Sequence, residues 1–207
     1  TSVSNSAPQR RYIEAQAAER GLTNIEIHTR DMNEFDAGRR FDRIVSVEMF
    51  EHMRNYEELF RRVSTWLEPG GRFFMHIFCH RNSPYEFVDR GPSDWMSRHF
   101  FSGGMMPSAN LPLRCQEDLI LEQRWFWPGH HYERTCNAWL QKMDLNRAAL
   151  WPLFEQTYGT DFAGIWWQRW RMFFMACAEL FGYRDGQEWF VAHYRFKRRR
   201  DNETQAD

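Results

Sequence analysis

With 207 residues, 43% of them hydrophobic, the chain is long enough to bury the core of one domain, and no compositional break suggests a second. A formal net charge of −1 gives no general attraction to nucleic acid or to an anionic membrane. No apolar run reaches the length of a membrane span, and no signal peptide is visible. Cys79, Cys115, Cys136 and Cys177 lack CxxC or ligand spacing, which predicts reduced thiols in a cytoplasmic protein and no metal site. Aromatic residues make up 17% and include ten Trp, concentrated after residue 85, an excess that calls for a wide core or an aromatic-lined pocket.

In chain order, TSV reads as the end of a strand, and SNSAPQ opens a helix over 8–20 with Ser6 as its cap and Pro8 in its first turn. Strands are expected over 24–28 and 42–47. An amphipathic helix follows over 55–67, stopped by EPGG, and a buried strand over 72–78. The segment 84–111, which holds GPSDW and FFSGGMMPS, is long for a connection and is read as a lid. Strands over 119–127 and 188–195 enclose helices near 135–150 and 161–181. The basic run at 197–200 leads into a polar tail. Such alternation predicts an α/β fold.

The stretch 41–53, FDRIVSVEMFEHM, changes character halfway. A β-branched run gives way to Glu48, Glu51 and His52, whose spacings of three and four would put two carboxylates and an imidazole on one helical face. At the carboxyl end of a strand such a cluster stands where open α/β sheets bind ligands, although a solvated first turn would look the same. His76, in FMHIF, reads by itself as a satisfied core histidine. Trp166, Trp167, Trp170, Phe173 and Phe174 recur at helical spacing, as core or as faces for a cation.

Several of these segments also carry a resemblance. SVEMFEHM, FFSGGMMPSANL, HYERT, AELFGY and EWFVAH, in this order from Val3 to about Lys197, resemble the cyclopropane fatty acid synthase family of S-adenosylmethionine-dependent methyltransferases, with most similarity to its coclaurine N-methyltransferase branch. The resemblance implies a class I Rossmann-like fold, a mostly parallel seven-stranded sheet with an antiparallel last strand. TSV would then be the end of strand two. The methyltransferase domain would cover 1–198, N-terminally truncated of strand one and its glycine loop, with an insertion at 84–111 and a polar tail at 199–207.

By position, Ser4, Asn5 and Gln9 match the turn that serves the cofactor ribose, Asp31 and Met32 the adenine contacts, and Val47 a further cofactor contact. As bare residues, Ser4, Asn5 and Gln9 are a helix start and Asp31 caps a short turn. An ammonium must lose a proton before its nitrogen can attack a sulfonium methyl, so an amine substrate needs a base. Glu48 and His52 match the pair that binds and deprotonates the amine, while Glu51 and His76 match residues that hold bicarbonate in the synthases. Two departures separate the chain from lipid cyclopropanation: Glu48 stands where synthases usually have Gly, and Phe173 where they have a tyrosine hydroxyl. Trp170, Phe173 and Tyr132 are expected at the substrate, with His131 nearby or in solvent. The expectation is N-methylation of an amine-bearing small molecule. The alternative is methylene addition to unsaturated phospholipid acyl chains. The partners foreseen are that amine or lipid substrate and a second copy of the chain in a homodimer, with no nucleic acid and no transmembrane segment. A non-catalytic module is disfavoured by the intact cluster from Glu48 to His52.

Overall fold

The computed structural model describes residues 1–101 and 103–199. Its contacts divide it into two compact units, Thr1–Arg40 and Phe41–Asp207.

In the first unit, β1 (Ser2–Ser4) pairs in parallel with β2 (Ile27–Thr29), and α1 (Ala7–Glu19) connects them. Ser6 caps α1 as expected, its Oγ accepting the Gln9 N–H at 3.3 Å, and a proline sits in the first turn. The strand expected over 24–28 starts only at Ile27. Gly21, at φ +65°, turns the chain after α1, and residues 24–26 stay exposed, so only Ile27 has an apolar face to bury. With no buried residue on α1, its cap matters more than usual. Ser6→Ala should cost about 1 kcal/mol, read as a lower urea midpoint at unchanged m-value.

The second unit is built on a four-stranded sheet in the order β3 (Phe41–Val47), β4 (Leu67–His80), β8 (Trp189–Arg198), β7 (Leu119–Trp127). β3 and β4 run parallel, and β8 runs antiparallel to both β4 and β7. Three strands therefore share one direction and the last opposes them, as the resemblance implies. Burial alternates strictly along β4: Phe73, Met75, Ile77 and Cys79 are fully buried, while Phe74, His76, Phe78 and His80 on the opposite face are half-buried. Opposite the buried set on β8 lie Phe196, Tyr194, Ala192 and Phe190. α2 (Tyr56–Trp66) covers this face with Tyr56, Leu59, Phe60, Val63 and Trp66, and Phe60 lies 5.0 Å from Phe196 ring to ring. Burying each such side chain contributes about 1.5 to 3 kcal/mol.

On the other face pack α4 (His130–Leu145) and α6 (Thr160–Gly186), where Cys136, Cys177, Ala178 and Phe181 form a core that Phe78, Tyr132 and Phe173 join. α5 (Arg147–Tyr158) adds a second core of Met143, Phe154, Ala163 and Trp167. Among the described residues no helix is long and apolar enough to cross a membrane.

Two sequence expectations need correction here. EPGG does not separate helix from strand: β4 already begins at Leu67, and its pairing with β3 jumps from Phe41↔Leu67 to Arg43↔Arg72. Gly70, at φ +75°, takes up this bulge. The helix expected over 135–150 is two helices, because Asn146 donates its side-chain N–H to the Lys142 carbonyl at 2.8 Å, closing α4, while its own carbonyl accepts the Ala149 and Leu150 N–H groups of α5. The regular part of α6 matches 161–181 closely, but Tyr183, Arg184 and Asp185 are non-helical within its assigned span.

The segment read as a lid contains β5 (Tyr85–Glu86), α3 (Trp95–His99) and β6 (Met105–Met106), with β5 and β6 paired antiparallel. Of the tail expected at 199–207, residues 200–207 lie outside the described residues.

Candidate active site

β3 ends at Val47, and the next residue leaves the sheet in a left-handed turn: Glu48 has φ +53° and donates its N–H to the His76 carbonyl at 3.2 Å. The chain then forms a 3-10 turn, Phe50–His52. Here the expected single helical face fails. Glu48 precedes the turn, Glu51 points inward at 1% exposure, and His52 is exposed with no side-chain hydrogen bond among the described residues. Adjacent residues of so tight a turn face different ways.

What meets Glu48 comes from other elements. Tyr132, in the first turn of α4, donates its hydroxyl to Glu48 Oε1 at 2.5 Å, and His76 Nε2 lies 2.9 Å from the same oxygen. His76 is the neighbour of Val47 in the parallel β3–β4 register, so strand pairing brings together two residues far apart in the chain. Behind His76, its Nδ1 lies 2.9 Å from His193 Nε2, and Trp127 donates its indole N–H to His193 Nδ1 at 3.0 Å. His193 and Trp127 were not foreseen from sequence. EWFVAHYRF shows His193 on the polar alternation of a strand, but nothing in it names the partner strand.

Glu51 is unlike Glu48. Its Oε1 accepts the Phe78 N–H at 2.8 Å, and its Oε2 is buried with no partner among the described residues. Burial, followed by the nearby Glu48 charge, pushes its carboxyl up to about 8, so it carries a proton at neutral pH. Burial, with the Glu48 bond next, also raises the Tyr132 phenol and keeps it a donor. His193 is lowered by burial and then by His76.

An aromatic wall stands on the α6 side. Phe173 stacks on Phe100 with centroids 4.5 Å apart, and Trp170 meets Phe100 edge-on at 5.0 Å. Phe101 links Phe173 to Phe78, the residue two beyond His76 on the same face of β4. Trp170 donates its N–H to the Tyr158 hydroxyl at 3.0 Å and lines an apolar cavity of about 530 Å³ between α4, α5 and α6. His131 is exposed.

The residues expected at the cofactor fall at strand ends. In the first unit, Ser4 Oγ donates to Gln9 Oε1 at 2.8 Å and accepts the Ser6 N–H, while Asn5 is exposed. Asp31 Oδ1 accepts both the backbone and the side-chain N–H of Asn33, a short polar turn after β2, with Met32 half-buried beside it. Gln9 Nε2 and Asp31 Oδ2 take no partner among the described residues. In the second unit, Val47 is 56% exposed at the carboxyl end of β3.

Residues 1–189 match the mycolic acid cyclopropane synthetase family. The chain is 34% identical over 202 residues to (S)-coclaurine N-methyltransferase of Papaver somniferum, covering 96% of this chain and 58% of that protein. To the cyclopropane-fatty-acyl-phospholipid synthase of Escherichia coli strain K12 it is 29% identical over 195 residues, 93% of this chain and 46% of that one. The chain thus spans about half the length of these relatives. The crystal structure of coclaurine N-methyltransferase bound to N-methylheliamine and SAH superposes with a TM-score of 0.88 at 34% identity, over 94% of this chain and 59% of that one. A mycolic acid cyclopropane synthase complexed with SAH and CTAB superposes with a TM-score of 0.73 at 19% identity, over 94% and 68%, a likeness of fold alone.

Proposed function

This chain belongs to the mycolic acid cyclopropane synthetase family and has the class I methyltransferase fold, and from that premise we propose that the whole protein is an S-adenosylmethionine-dependent N-methyltransferase of an amine-bearing small molecule. One observation carries the choice of substrate. Glu48 occupies a left-handed backbone position, which glycine adopts freely and which costs another residue about 1 to 3 kcal/mol. Keeping a carboxylate there, gripped at Oε1 by Tyr132, makes sense where the charge is needed.

S-adenosylmethionine, when bound, supplies a sulfonium methyl that an unprotonated amine displaces in line. In the first unit, Ser4, Asn5, Gln9, Asp31 and Met32 would hold it. The open amide donors of Gln9 and the free Asp31 oxygen suit the ribose hydroxyls and the adenine amine, so the donor set fits the group.

In the second unit, Glu48 Oε1 is occupied, whereas Oε2 has no donor among the described residues and the side chain is 39% exposed. A substrate ammonium would pair with Oε2 and give up its proton there, freeing the nitrogen lone pair. Phe100, Trp170 and Phe173 pack together, and an outer ring face of this cluster would attract a cation by about 0.5 to 2 kcal/mol. The segment 84–111 would serve as a lid on the α6 side, a role supported by the stacking of its Phe100 on Phe173. Phe173 has no hydroxyl with which to bind bicarbonate, which weighs against alkene chemistry. Four buried free thiols suit a reducing compartment, and the cytoplasm is the proposed setting.

The test is a radiolabelled methyl-transfer assay of the whole protein on amines and on unsaturated phospholipid vesicles, with and without bicarbonate. Label should enter an amine at a rate indifferent to bicarbonate. Label in the lipid alone, stimulated by bicarbonate, would make cyclopropanation the correct reading.

A further inference from the structure

We propose that Trp127 and His193 are positioning residues that fix His76 as an Nε2–H donor to Glu48, so that Glu48 and not His76 takes the substrate proton. The half of this that concerns the base rests on the methyltransferase reading above.

The argument runs inward from the surface, one nitrogen at a time. An indole N–H can only donate, so His193 Nδ1, 3.0 Å from Trp127 Nε1, must be a bare acceptor. A neutral imidazole carries one proton, which places that of His193 on Nε2. Nε2 faces His76 Nδ1 at 2.9 Å, so that nitrogen is bare in turn and the proton of His76 sits on Nε2. There it points at Glu48 Oε1, 2.9 Å away. Each assignment follows from the one before it, and the first is set by a group that cannot change its role.

The same chain resists protonation. A proton added to His76 Nδ1 would face the His193 N–H. If His193 turned over its own proton to accept, the new Nδ1–H would face Trp127. Either way a hydrogen bond is exchanged for two opposed donors. The lowered His193 agrees with this, since burial and the neighbouring imidazole both disfavour its charged form. His76 therefore orients Glu48 as a neutral N–H donor, and of the two the proton acceptor is Glu48.

Strand pairing makes the line rigid. His76 and His193 are direct antiparallel partners on β4 and β8, and Trp127 on β7 is opposite Val191, diagonal to His193 on the same face. The two imidazoles lie 4.8 Å apart between centroids, set side by side by that pairing.

The experiment is NMR of the whole protein labelled with 15N in its histidine rings, where bare and protonated ring nitrogens are separately resolved. His76 and His193 should both show Nε2–H with bare Nδ1. Trp127→Phe removes the donor and should move both rings toward mixed tautomers. It should also lower kcat roughly five- to tenfold, the worth of about one hydrogen bond, at unchanged KM. His193→Gln keeps an N–H for His76 Nδ1 and should preserve its tautomer and most of the activity, whereas His193→Leu should lose both. A wild-type spectrum with the His76 proton on Nδ1, or tautomers unmoved by Trp127→Phe, would overturn the proposal. The spectra need neither cofactor nor substrate. Correct tautomers in a protein that methylates no amine would therefore reject the reading of function and the role of base, and leave the tautomer assignment standing.

Discussion

Glu48→Gln should lower kcat by roughly 10²- to 10⁴-fold, the usual worth of a positioned base, while S-adenosylhomocysteine affinity stays within about twofold. The amide is isosteric, and its carbonyl can still accept from Tyr132 and His76, so the local structure survives. Lost would be the negative charge proposed to pair with a substrate ammonium and the oxygen proposed to take its proton. Both kcat and kcat/KM should fall, because the proton transfer belongs to the transition state. Steady-state kinetics on a verified amine, paired with calorimetry of S-adenosylhomocysteine, checks it. A mutant as fast as wild type would remove Glu48 from the mechanism. Gln at φ +53° carries the same backbone cost as Glu, so thermal stability should barely move and cannot explain lost activity.

Glu51→Gln should act on stability and its dependence on pH. The folded carboxyl sits at about 8, against 4.5 as its ordinary value, so between these limits the folded protein holds a proton that the unfolded chain has released. Unfolding then expels a proton, and stability must fall as pH rises. The contribution is fully present below about pH 4.5 and is lost as pH rises through 8. A gap of that size, at 1.36 kcal/mol per unit, amounts to roughly 4 to 5 kcal/mol across the window. The glutamine cannot ionise. Its amide N–H groups, facing the pocket where Oε2 finds no partner, should cost about 1 to 3 kcal/mol at pH 5, yet the mutant should lose less stability than wild type between pH 5 and pH 8.5. Denaturant unfolding at the two pH values measures this, and equal losses in the two proteins would mean that Glu51 is not protonated in the fold. Since the Glu48 charge is the second cause of the shift, Glu48→Gln should move the wild-type inflection to lower pH.

Patterns local to a segment were readable from the sequence. Ser6 announced its helix as a cap residue just ahead of Pro8, and the alternation of β4 was plain in RFFMHIFCH. Glu48 and His76 could each be named, but their partnership depends on the register of β3 against β4, which no local pattern encodes. The expected shared face of Glu48, Glu51 and His52 came from extending helical periodicity through Glu48, where the backbone turns left-handed and the period is broken. Asn146 was hidden for a similar reason: one side-chain bond to Lys142 ends a helix that propensity would continue. His193 and Trp127 required two further strand pairings, so their role could not be read before the sheet was known.

The place of β8 in the sheet has a kinetic consequence. It comes latest of the four strands in sequence yet lies between β4 and β7, pairing Phe73 with Phe196 across more than a hundred intervening residues. Closing such a loop is entropically costly and slows folding, whereas the helices α4, α5 and α6 meet neighbours close in the chain and can condense early. Until β8 inserts, β4 and β7 each expose an unpaired edge, and the apolar β4 edge is open to wrong partners. The same strand carries His193. Polypeptide still awaiting β8 is therefore at once the species most prone to aggregate and one in which His76 lacks its neighbour, so quality control that removes chains with open edges also removes chains with an unfinished site.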